Sequence, residues 1–235
     1  MRIDKLISDM GLATRKEASL IAKRGGVLVD GEPVRDLSRH IDPEKNAVSF
    51  LGREICFRKY TYVMLNKPEG YVSATDDKIN PYVTELLPPE LRKMELFPVG
   101  RLDKDTLGLM ILTNNGKLAH RLLSPKRHVE KDYRFECACE LSESAEREFS
   151  EGITLADGYE CKPSVLSLNA DRKSGVITLT EGKYHQIKRM IAASGSKITY
   201  LERIRFASIP LDEALSRGEW RYLTAEEISI LESLG

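Results

Sequence analysis

Residues 100–116 read Gly-Arg-Leu-Asp-Lys-Asp-Thr-Leu-Gly-Leu-Met-Ile-Leu-Thr-Asn-Asn-Gly, and this stretch decides how the rest of the chain is interpreted. The run 107–113 is apolar and β-prone, which predicts a buried strand, and the Asn-Asn-Gly after it predicts a turn. Gly100 allows a sharp bend, and Asp103 lies between that bend and the strand. A carboxylate on such a loop is fixed in position while its oxygens remain accessible. This placement suits a nucleophile or a general base.

An aspartate in this position can also simply cap a turn, because Asp is common in turns. However, Gly-Arg-Leu-Asp at 100–103, followed by Thr-Leu-Gly-Leu at 106–109, resembles the catalytic motif of the RNA pseudouridine synthases. More narrowly, it is similar to the RsuA-type branch, which acts on ribosomal RNA. The resemblance implies that Asp103 is the essential aspartate and that Arg101 contacts RNA, filling the gap left by an extruded nucleotide.

The composition is that of an ordinary globular protein, with 235 residues, 41% hydrophobic and 31% charged. This length allows a large domain plus a small one. The formal net charge of zero argues against a general nucleic-acid-coating protein. Basic residues are nevertheless concentrated in patches: residues 1–59 contain 12 Lys and Arg against nine acids, and 183–205 contain six against Glu202 alone. Such patches are expected where selected faces of a protein meet a phosphate backbone.

Cysteine and histidine spacing gives no indication of a metal or disulfide framework. The four cysteines include no C-x-x-C pair, and the four histidines lie far apart. The start of the chain has no apolar signal core, and no apolar run approaches the roughly 18 residues of a membrane span. We therefore expect a cytoplasmic protein with reduced thiols, no metal, no cofactor and no contact with a membrane.

The N-terminal part predicts two helices and a hairpin. Apolar residues at helical spacing over 3–10 predict a first helix, and Thr14 with Glu17 forms a capping box that opens a second. The stretch 27–34, Val-Leu-Val-Asp-Gly-Glu-Pro-Val, predicts a hairpin. The whole pattern resembles the S-four-type RNA-binding module named after a small-subunit ribosomal protein. The resemblance implies RNA contact by four basic residues on the solvent side of the second helix: Arg15, Lys16, Lys23 and Arg24. On charge alone, they could equally form a solvated helix face.

We place the domain boundary at Lys59, giving a module over 1–59 and a second domain over 60–235. A strand is predicted over 60–65, and Asn-Lys-Pro-Glu-Gly at 66–70 predicts a turn. In the family, this opening marks the catalytic domain, and 71–77 is more similar to the small-subunit rRNA enzymes than to their large-subunit relatives. The resemblance implies an α+β fold with a mixed, mainly antiparallel sheet flanked by helices.

Two later stretches contain the remaining candidate site residues. A predicted strand over 131–135 places Lys131 and Tyr133 on one face. An apolar stripe predicts a helix around 187–191 that ends at Gly195 and leaves Lys188 off the stripe. The resemblance implies that Tyr133 is the active-site tyrosine, that Lys188 pairs with Asp103, and that Lys131, His185 and Gln186 contact RNA. A tyrosine on a strand is otherwise more often a core residue.

Further elements are predicted around these stretches. Residues 141–152 are expected to form a peripheral helix, and 197–201 and 203–206 two separate strands. Thr224 and Glu227 predict a capping box for a terminal helix.

Pseudouridine formation breaks the N1–C1′ bond of a uridine, turns the base and rejoins it through C5. No redox change or group transfer occurs, so no cofactor is needed. The nucleotide must leave its stack, at a cost of a few kcal/mol. Asp103 would then attack C1′, attack C6 of uracil, or remove a sugar proton. Burial disfavours an ionised carboxylate, and the cation of Lys188 would oppose this effect.

Two other functions compete with this one. A non-catalytic RNA-binding or ribosome-assembly protein would be expected to have a broken motif. A hydrolase using Asp103 and Asp105 on a glycosidic bond would need an aromatic sugar cleft, and aromatic residues make up only 7% of the chain. Our preferred substrate is small-subunit rRNA within an assembly intermediate, with large-subunit rRNA or tRNA as the alternative. The neutral charge indicates one enzyme per RNA, acting as a monomer.

Overall fold

The computed structural model describes residues 1–43, 45–55 and 59–234. The chain divides into two compact units, one formed by Met1–Thr61 with Leu87–Leu96 and the other by Tyr62–Leu86 with Phe97–Gly235. The first unit thus includes a short segment from the middle of the chain. The predicted boundary at Lys59 stays a prediction, and residues 56–58 immediately before it lie outside the described part.

The first unit has the predicted helix–helix–hairpin order. Its helices are α1 (Ile3–Asp9), α2 (Arg15–Lys23) and α3 (Pro89–Arg92). Its strands are β1 (Val27–Val29), β2 (Glu32–Pro33), β3 (Val48–Phe50) and β4 (Arg53–Glu54), in the antiparallel order β2-β1-β3-β4. The capping box at the start of α2 is confirmed, because Thr14 and Glu17 exchange backbone and side-chain hydrogen bonds. Apolar side chains of α1, α2 and the sheet form one core cluster.

The second unit contains one large mixed sheet. Its strands are β5 (Tyr62–Lys67), β6 (Phe97–Pro98), β7 (Leu107–Thr113), β8 (Lys131–Cys137), β9 (Val165–Leu168), β10 (Ser174–Leu179), β11 (Ile198–Phe206), β12 (Ile209–Pro210) and β13 (Trp220–Tyr222). The main order is β13-β5-β7-β11-β8-β10-β9, with β6 beside β7 and β12 beside β11. Among the described strands of this sheet, only the β7–β11 pair is parallel, so the expected mixed, mainly antiparallel sheet is confirmed.

Four helices accompany this sheet: α4 (Gly116–Leu123), α5 (Ala145–Glu151), α6 (Gln186–Ala193) and α7 (Ala225–Leu234). The prediction that the 141–152 region is peripheral was wrong. Ala145 and Phe149 of α5 are fully buried and join a core cluster with residues of β8, β10 and α6. The apolar face of α5 therefore stabilises the sheet. Among the described residues, no helix is both long and apolar enough for a membrane span.

The parallel pair β7–β11 is unusually close at one point. Gly108 faces Arg203 in the register, and a Cβ at Gly108 would lie 2.3 Å from the carbonyl oxygen of Arg203. The prediction of two strands over 197–206 was wrong, because β11 is continuous with two register shifts. Glu202, which lies between the two predicted strands, is buried in the strand and pairs with Arg217 at 2.8 Å. At the centre of the sheet, β7, which forms the second half of the 100–116 motif, therefore pairs directly with β11.

Candidate active site

The loop between β6 and β7 places Asp103 at the surface of the second unit. Gly100 has φ of +85°, the bend that the sequence predicts. The side chain of Leu102 is buried, and its backbone is held by Ser73, whose hydroxyl donates to the Leu102 carbonyl at 2.6 Å and accepts from its N–H at 2.8 Å. With Leu102 fixed inward, the Asp103 carboxylate points outward and keeps 30% of its side chain exposed.

Lys67, a buried residue, also holds the loop that contains Asp103. The sequence predicts a turn at this position, which was wrong: Lys67 is the last residue of β5 and is fully buried. Its Nζ donates to the carbonyl oxygens of Pro68, Lys104 and Thr106 at 3.1, 3.3 and 2.8 Å. Burial lowers the pKa of Lys67 to about 8, against the opposing effect of the nearby carboxylates. A buried ammonium group therefore fixes the part of the loop that follows Asp103.

The cation predicted for Asp103 lies beside it. The Nζ of Lys188, near the start of α6, is 3.1 Å from Oδ2 of Asp103. It also donates to Oδ1 of Asp105 at 2.5 Å, so two carboxylates share one ammonium group. Burial acts to lower the pKa of Lys188, but the hydrogen bonds that it donates to Asp105 and Asp103 raise this pKa above its ordinary value. For Asp105, burial raises the pKa, and the Lys188 hydrogen bond and charge lower it by more.

Two further predicted residues, His185 and Gln186, lie at the start of α6 and have different surroundings. His185 has positive φ, its Nε2 lies 3.6 Å from Oδ1 of Asp103, and its ring stacks on the exposed Tyr184 with centroids 3.8 Å apart. Gln186 is buried, donates to Glu181 at 2.5 Å and accepts from the Lys183 N–H at 2.9 Å. His185 is thus near the carboxylate, whereas Gln186 shapes the turn that positions it.

A cavity lined by Asp103 adjoins a second cavity through lining residues that the two share. The smaller, about 90 Å³, is lined by Asp103, Lys188, Tyr133 and residues of the 181–187 turn. The larger, about 240 Å³, shares Tyr133 and Arg101 with it and extends to Lys131. The β8 strand, which presents Lys131 and Tyr133 on one face, thus connects both cavities. The geometry places a carboxylate, a cation paired with it and an aromatic ring around one opening.

The other predicted RNA-binding residues are exposed. Arg101 lies at the rim that both cavities share. The four basic residues of the second helix belong to the first unit, and all are exposed: Arg15, Lys16, Lys23 and Arg24. In the described ranges, no group of three His, Cys, Asp or Glu side chains lies close enough to ligate a metal ion.

Sequence reasoning missed several supporting residues. Lys67 and Ser73 fix the Asp103 loop, Asp105 shares its cation, Glu181 orders the turn, and Arg203 lines the larger cavity. Asp105 was considered only for a hydrolase. The position of Arg203 opposite Gly108 of the motif depends on the strand register, which the sequence does not reveal.

Comparison with known proteins is consistent with this fold. Residues 61–193 match the RNA pseudouridylate synthase family, and residues 1–46 match the S4 domain. The chain therefore belongs to the RNA pseudouridine synthase family, whose members are isomerases acting on RNA.

The relatives include full-length matches. An uncharacterized RNA pseudouridine synthase, YtzG of Bacillus subtilis, is 42% identical over 98% of this chain and 98% of its own length. The ribosomal small subunit pseudouridine synthase A of Vibrio vulnificus is 42% identical over 97% and 98%. A crystal structure of a pseudouridylate synthase is 36% identical, has a TM-score of 0.69, and is matched over 98% of this chain and 99% of its own. The predicted family and its α+β, two-part fold are confirmed.

Proposed function

We propose that this enzyme converts one uridine of small-subunit ribosomal RNA to pseudouridine, with Asp103 as the essential carboxylate. The substrate is supported by relatives named ribosomal small subunit pseudouridine synthase A, which match over nearly the whole chain in Vibrio vulnificus and Escherichia coli. We further propose that it acts as a cytoplasmic monomer on an assembly intermediate of the small subunit, without a cofactor.

The Asp103–Lys188 ion pair is the observation that carries the catalytic proposal. Attack on C1′, attack on C6 and removal of a sugar proton all require an ionised carboxylate. The Lys188 ammonium group lies 3.1 Å from the Asp103 carboxylate and supplies a positive counter-charge beside it in a partly buried position. Over the reaction, the N1–C1′ bond breaks, the C5–C1′ bond forms, C5 loses a proton and N1 gains one. The chain's part is to supply the carboxylate and hold the base while it turns.

The neighbouring residues have roles that follow from their positions. Tyr133 lines both cavities, so its ring can flank the extruded uracil and its hydroxyl can approach the base. Arg101, exposed at the rim, is placed to fill the gap in the RNA stack and contact adjacent phosphates. His185, which is partly exposed, stacks on the exposed Tyr184 beside Asp103, and this pair offers a surface on which an unstacked base can pack. Gln186 orders the turn that presents them.

We propose that residues 1–59 act as a separate RNA-binding domain and 60–235 as the catalytic domain. The exposed cations of α2 would bind the phosphate backbone of structured RNA without reading its sequence. This affinity would position the enzyme on the rRNA, while the Asp103 pocket selects the uridine.

The test is to map pseudouridines in 16S rRNA, 23S rRNA and tRNA from cells with and without the gene. We expect one 16S position to lose its modification on deletion and to regain it with the wild-type gene. Loss of a 23S or tRNA position instead would establish the alternative substrate. An unchanged map would contradict the proposed modification of RNA in these cells.

Complementation with variants tests the residues. Asp103→Asn and Lys188→Met should fail to restore the modification, while Lys117→Met, an exposed control on α4, should restore it. Circular dichroism and RNA binding of the purified variants show whether the fold and affinity persist. Full restoration by Asp103→Asn would reject the role of Asp103.

A further inference from the structure

A buried arginine in the larger cavity has an unused hydrogen-bond donor. Arg203 of β11 is 1% exposed, and its Nε donates to the carbonyl oxygen of Leu109 at 2.7 Å. Its Nη2 is one of two buried side-chain polar atoms in the described residues without any hydrogen-bond partner, the other being Oγ1 of Thr106. Buried donors are almost always paired in folded proteins, so an unpaired guanidinium nitrogen on a residue that lines a cavity points to a missing ligand.

A second cation lies close to it. Lys131 of β8 lies with its Nζ 5.7 Å from the ring centroid of Phe206, and the Arg203 guanidinium carbon lies 5.5 Å from the same centroid. The Nζ of Lys131 donates to the carbonyl oxygen of Val129 at 2.6 Å, and no salt bridge to either cation occurs in the described residues. Burial, followed by the charge of Arg203, lowers the pKa of Lys131 to about 8. Two like charges close together, one fully buried and one partly buried, are costly unless an anion joins them.

The nearest acid does not neutralise them. Glu181 also lines the cavity, but its oxygens accept hydrogen bonds from Tyr159 at 2.8 Å, from the backbone N–H of Lys162 at 3.0 Å and from Gln186 at 2.5 Å. Against this occupied carboxylate, the described lining of the cavity contains five basic residues: Arg101, Lys131, Lys162, Lys183 and Arg203. The cavity therefore favours an anion.

We infer that the Lys131–Arg203 cavity binds a phosphate of the substrate RNA, next to the uridine that enters the Asp103 pocket. This inference rests on the proposed function and deepens it. The two cavities share Tyr133 and Arg101, so a strand with its base at Asp103 has its backbone within reach of the larger cavity. A planar guanidinium with a free N–H and an ammonium group together suit a phosphodiester. The cavity volume of about 240 Å³ provides room for a phosphate group.

The phosphate would act as an anchor for the extruded nucleotide. Extrusion costs a few kcal/mol, and a charge-assisted contact formed only by the extruded strand offsets part of that cost. Arg203 and Lys131 would thus act in binding the flipped conformation, whereas the cations of the first unit act on the undistorted RNA.

A methylphosphonate scan tests this inference. Target RNAs are prepared with a single neutral linkage at each position around the modified uridine, and their affinity is measured with Asp103→Asn protein, which keeps the RNA unconverted. We expect one linkage to weaken binding about tenfold, and we expect that loss to disappear when Lys131→Met is added. Equal losses with and without Lys131→Met at every linkage would overturn the inference.

Controls separate the remaining explanations. Lys117→Met should leave the scan unchanged, and Lys131→Arg should keep the sensitive linkage because it retains the charge. The salt dependence of RNA binding should fall by about one ion for Lys131→Met. Arg203 also donates a hydrogen bond to a carbonyl oxygen of β7, so a large substitution could disturb the fold. The conservative variant Arg203→Lys is therefore used, and its folding is checked by circular dichroism.

The source of the phosphate and the substrate assignment are tested separately. Thermal unfolding is also measured in the presence of inorganic phosphate. If phosphate stabilises the wild type but not Lys131→Met, and no linkage of the RNA is sensitive, the cavity binds a free phosphate and the RNA proposal is overturned. The scan uses whichever RNA the pseudouridine map identifies. A different rRNA would therefore correct the substrate and leave the test of the cavity intact.

Discussion

The Nζ of Lys67 donates a 2.8 Å hydrogen bond to the carbonyl oxygen of Thr106, three residues after Asp103. A second hydrogen bond from the same Nζ reaches the carbonyl oxygen of Lys104, so the ammonium group holds the loop at two points after Asp103. A fully buried lysine is rare without a partner, and here backbone carbonyls serve as the partners. The position of the proposed catalytic carboxylate thus depends on a lysine that is fully buried beneath the loop.

Lys67→Met is expected to reduce pseudouridine formation by about 100-fold while leaving RNA affinity within a factor of about two. The methionine fills the space but cannot bond the loop carbonyls, and displacing a reacting group by about 1 Å can cost this much rate. Single-turnover assays with purified protein measure the effect. Lys117→Met is the matched control. A Lys67→Met rate near wild type would show that Ser73 and Gly100 suffice to fix the loop.

Asp105→Asn should distinguish the two carboxylates that share Lys188. The Asp105 side chain is 60% exposed, and exposed ion pairs contribute about 1 kcal/mol or less. We therefore expect less than about a tenfold loss of rate, because Lys188 keeps its contact with Asp103. Asp103→Asn in the same assay should give no product. If Asp105→Asn abolishes turnover and Asp103→Asn does not, the assignment of the reacting carboxylate is reversed.

Local signals explain which parts of the fold could be predicted. The Thr14 and Glu17 capping box lies within four residues, and its chemistry is the same in any context. The strand Leu107–Thr113 is apolar throughout, so its burial follows from composition. The pairing of Asp103 with Lys188 is different: the two are far apart in sequence, and only the resemblance to a family connected them.

The missed features all depend on the tertiary fold. A lysine in a polar turn-like motif gives no local indication that it is buried, yet Lys67 is. Glu202 interrupts an apolar pattern, so β11 reads as two strands, although Arg217 neutralises the glutamate inside one continuous strand. The half-polar sequence of α5 hides Phe149, which anchors it in the core. In each case, a distant partner decides the burial of a residue.

Gly108→Ala is expected to destabilise the second unit by more than about 1 kcal/mol. Gly108 has φ of +96°, and the added Cβ would lie 2.3 Å from the Arg203 carbonyl oxygen across the parallel pair. Gly158→Ala is a matched control, since Gly158 has φ of +82° but no atom within 4 Å of the added Cβ. Chemical denaturation should therefore give a larger loss of unfolding free energy at Gly108. Equal losses at both positions would mean that backbone strain alone, without the close strand contact, determines the cost.

The affinity for target RNA should fall by about tenfold between about pH 7 and about pH 9, and Lys131→Arg should remove this fall. In the free protein, the pKa of Lys131 is about 8, so the ammonium group loses its proton as the pH rises through that value. A bound phosphate favours the charged form, which raises the pKa in the complex, so binding is strongest below pH 8 and weakens above it. Arginine stays charged throughout this range.

Other groups around the cavity have to be separated from Lys131. The charged and titratable side chains that face it are Arg101, Tyr133, Tyr159, Lys162, Glu181, Lys183 and Arg203. The hydrogen bond to Glu181 raises the pKa of Tyr159 to about 12, above the range of the experiment. Titration of the RNA or of any remaining group would affect wild type and Lys131→Arg alike, so the difference between their two profiles isolates Lys131. Parallel profiles would show that its proton does not take part in binding the phosphate.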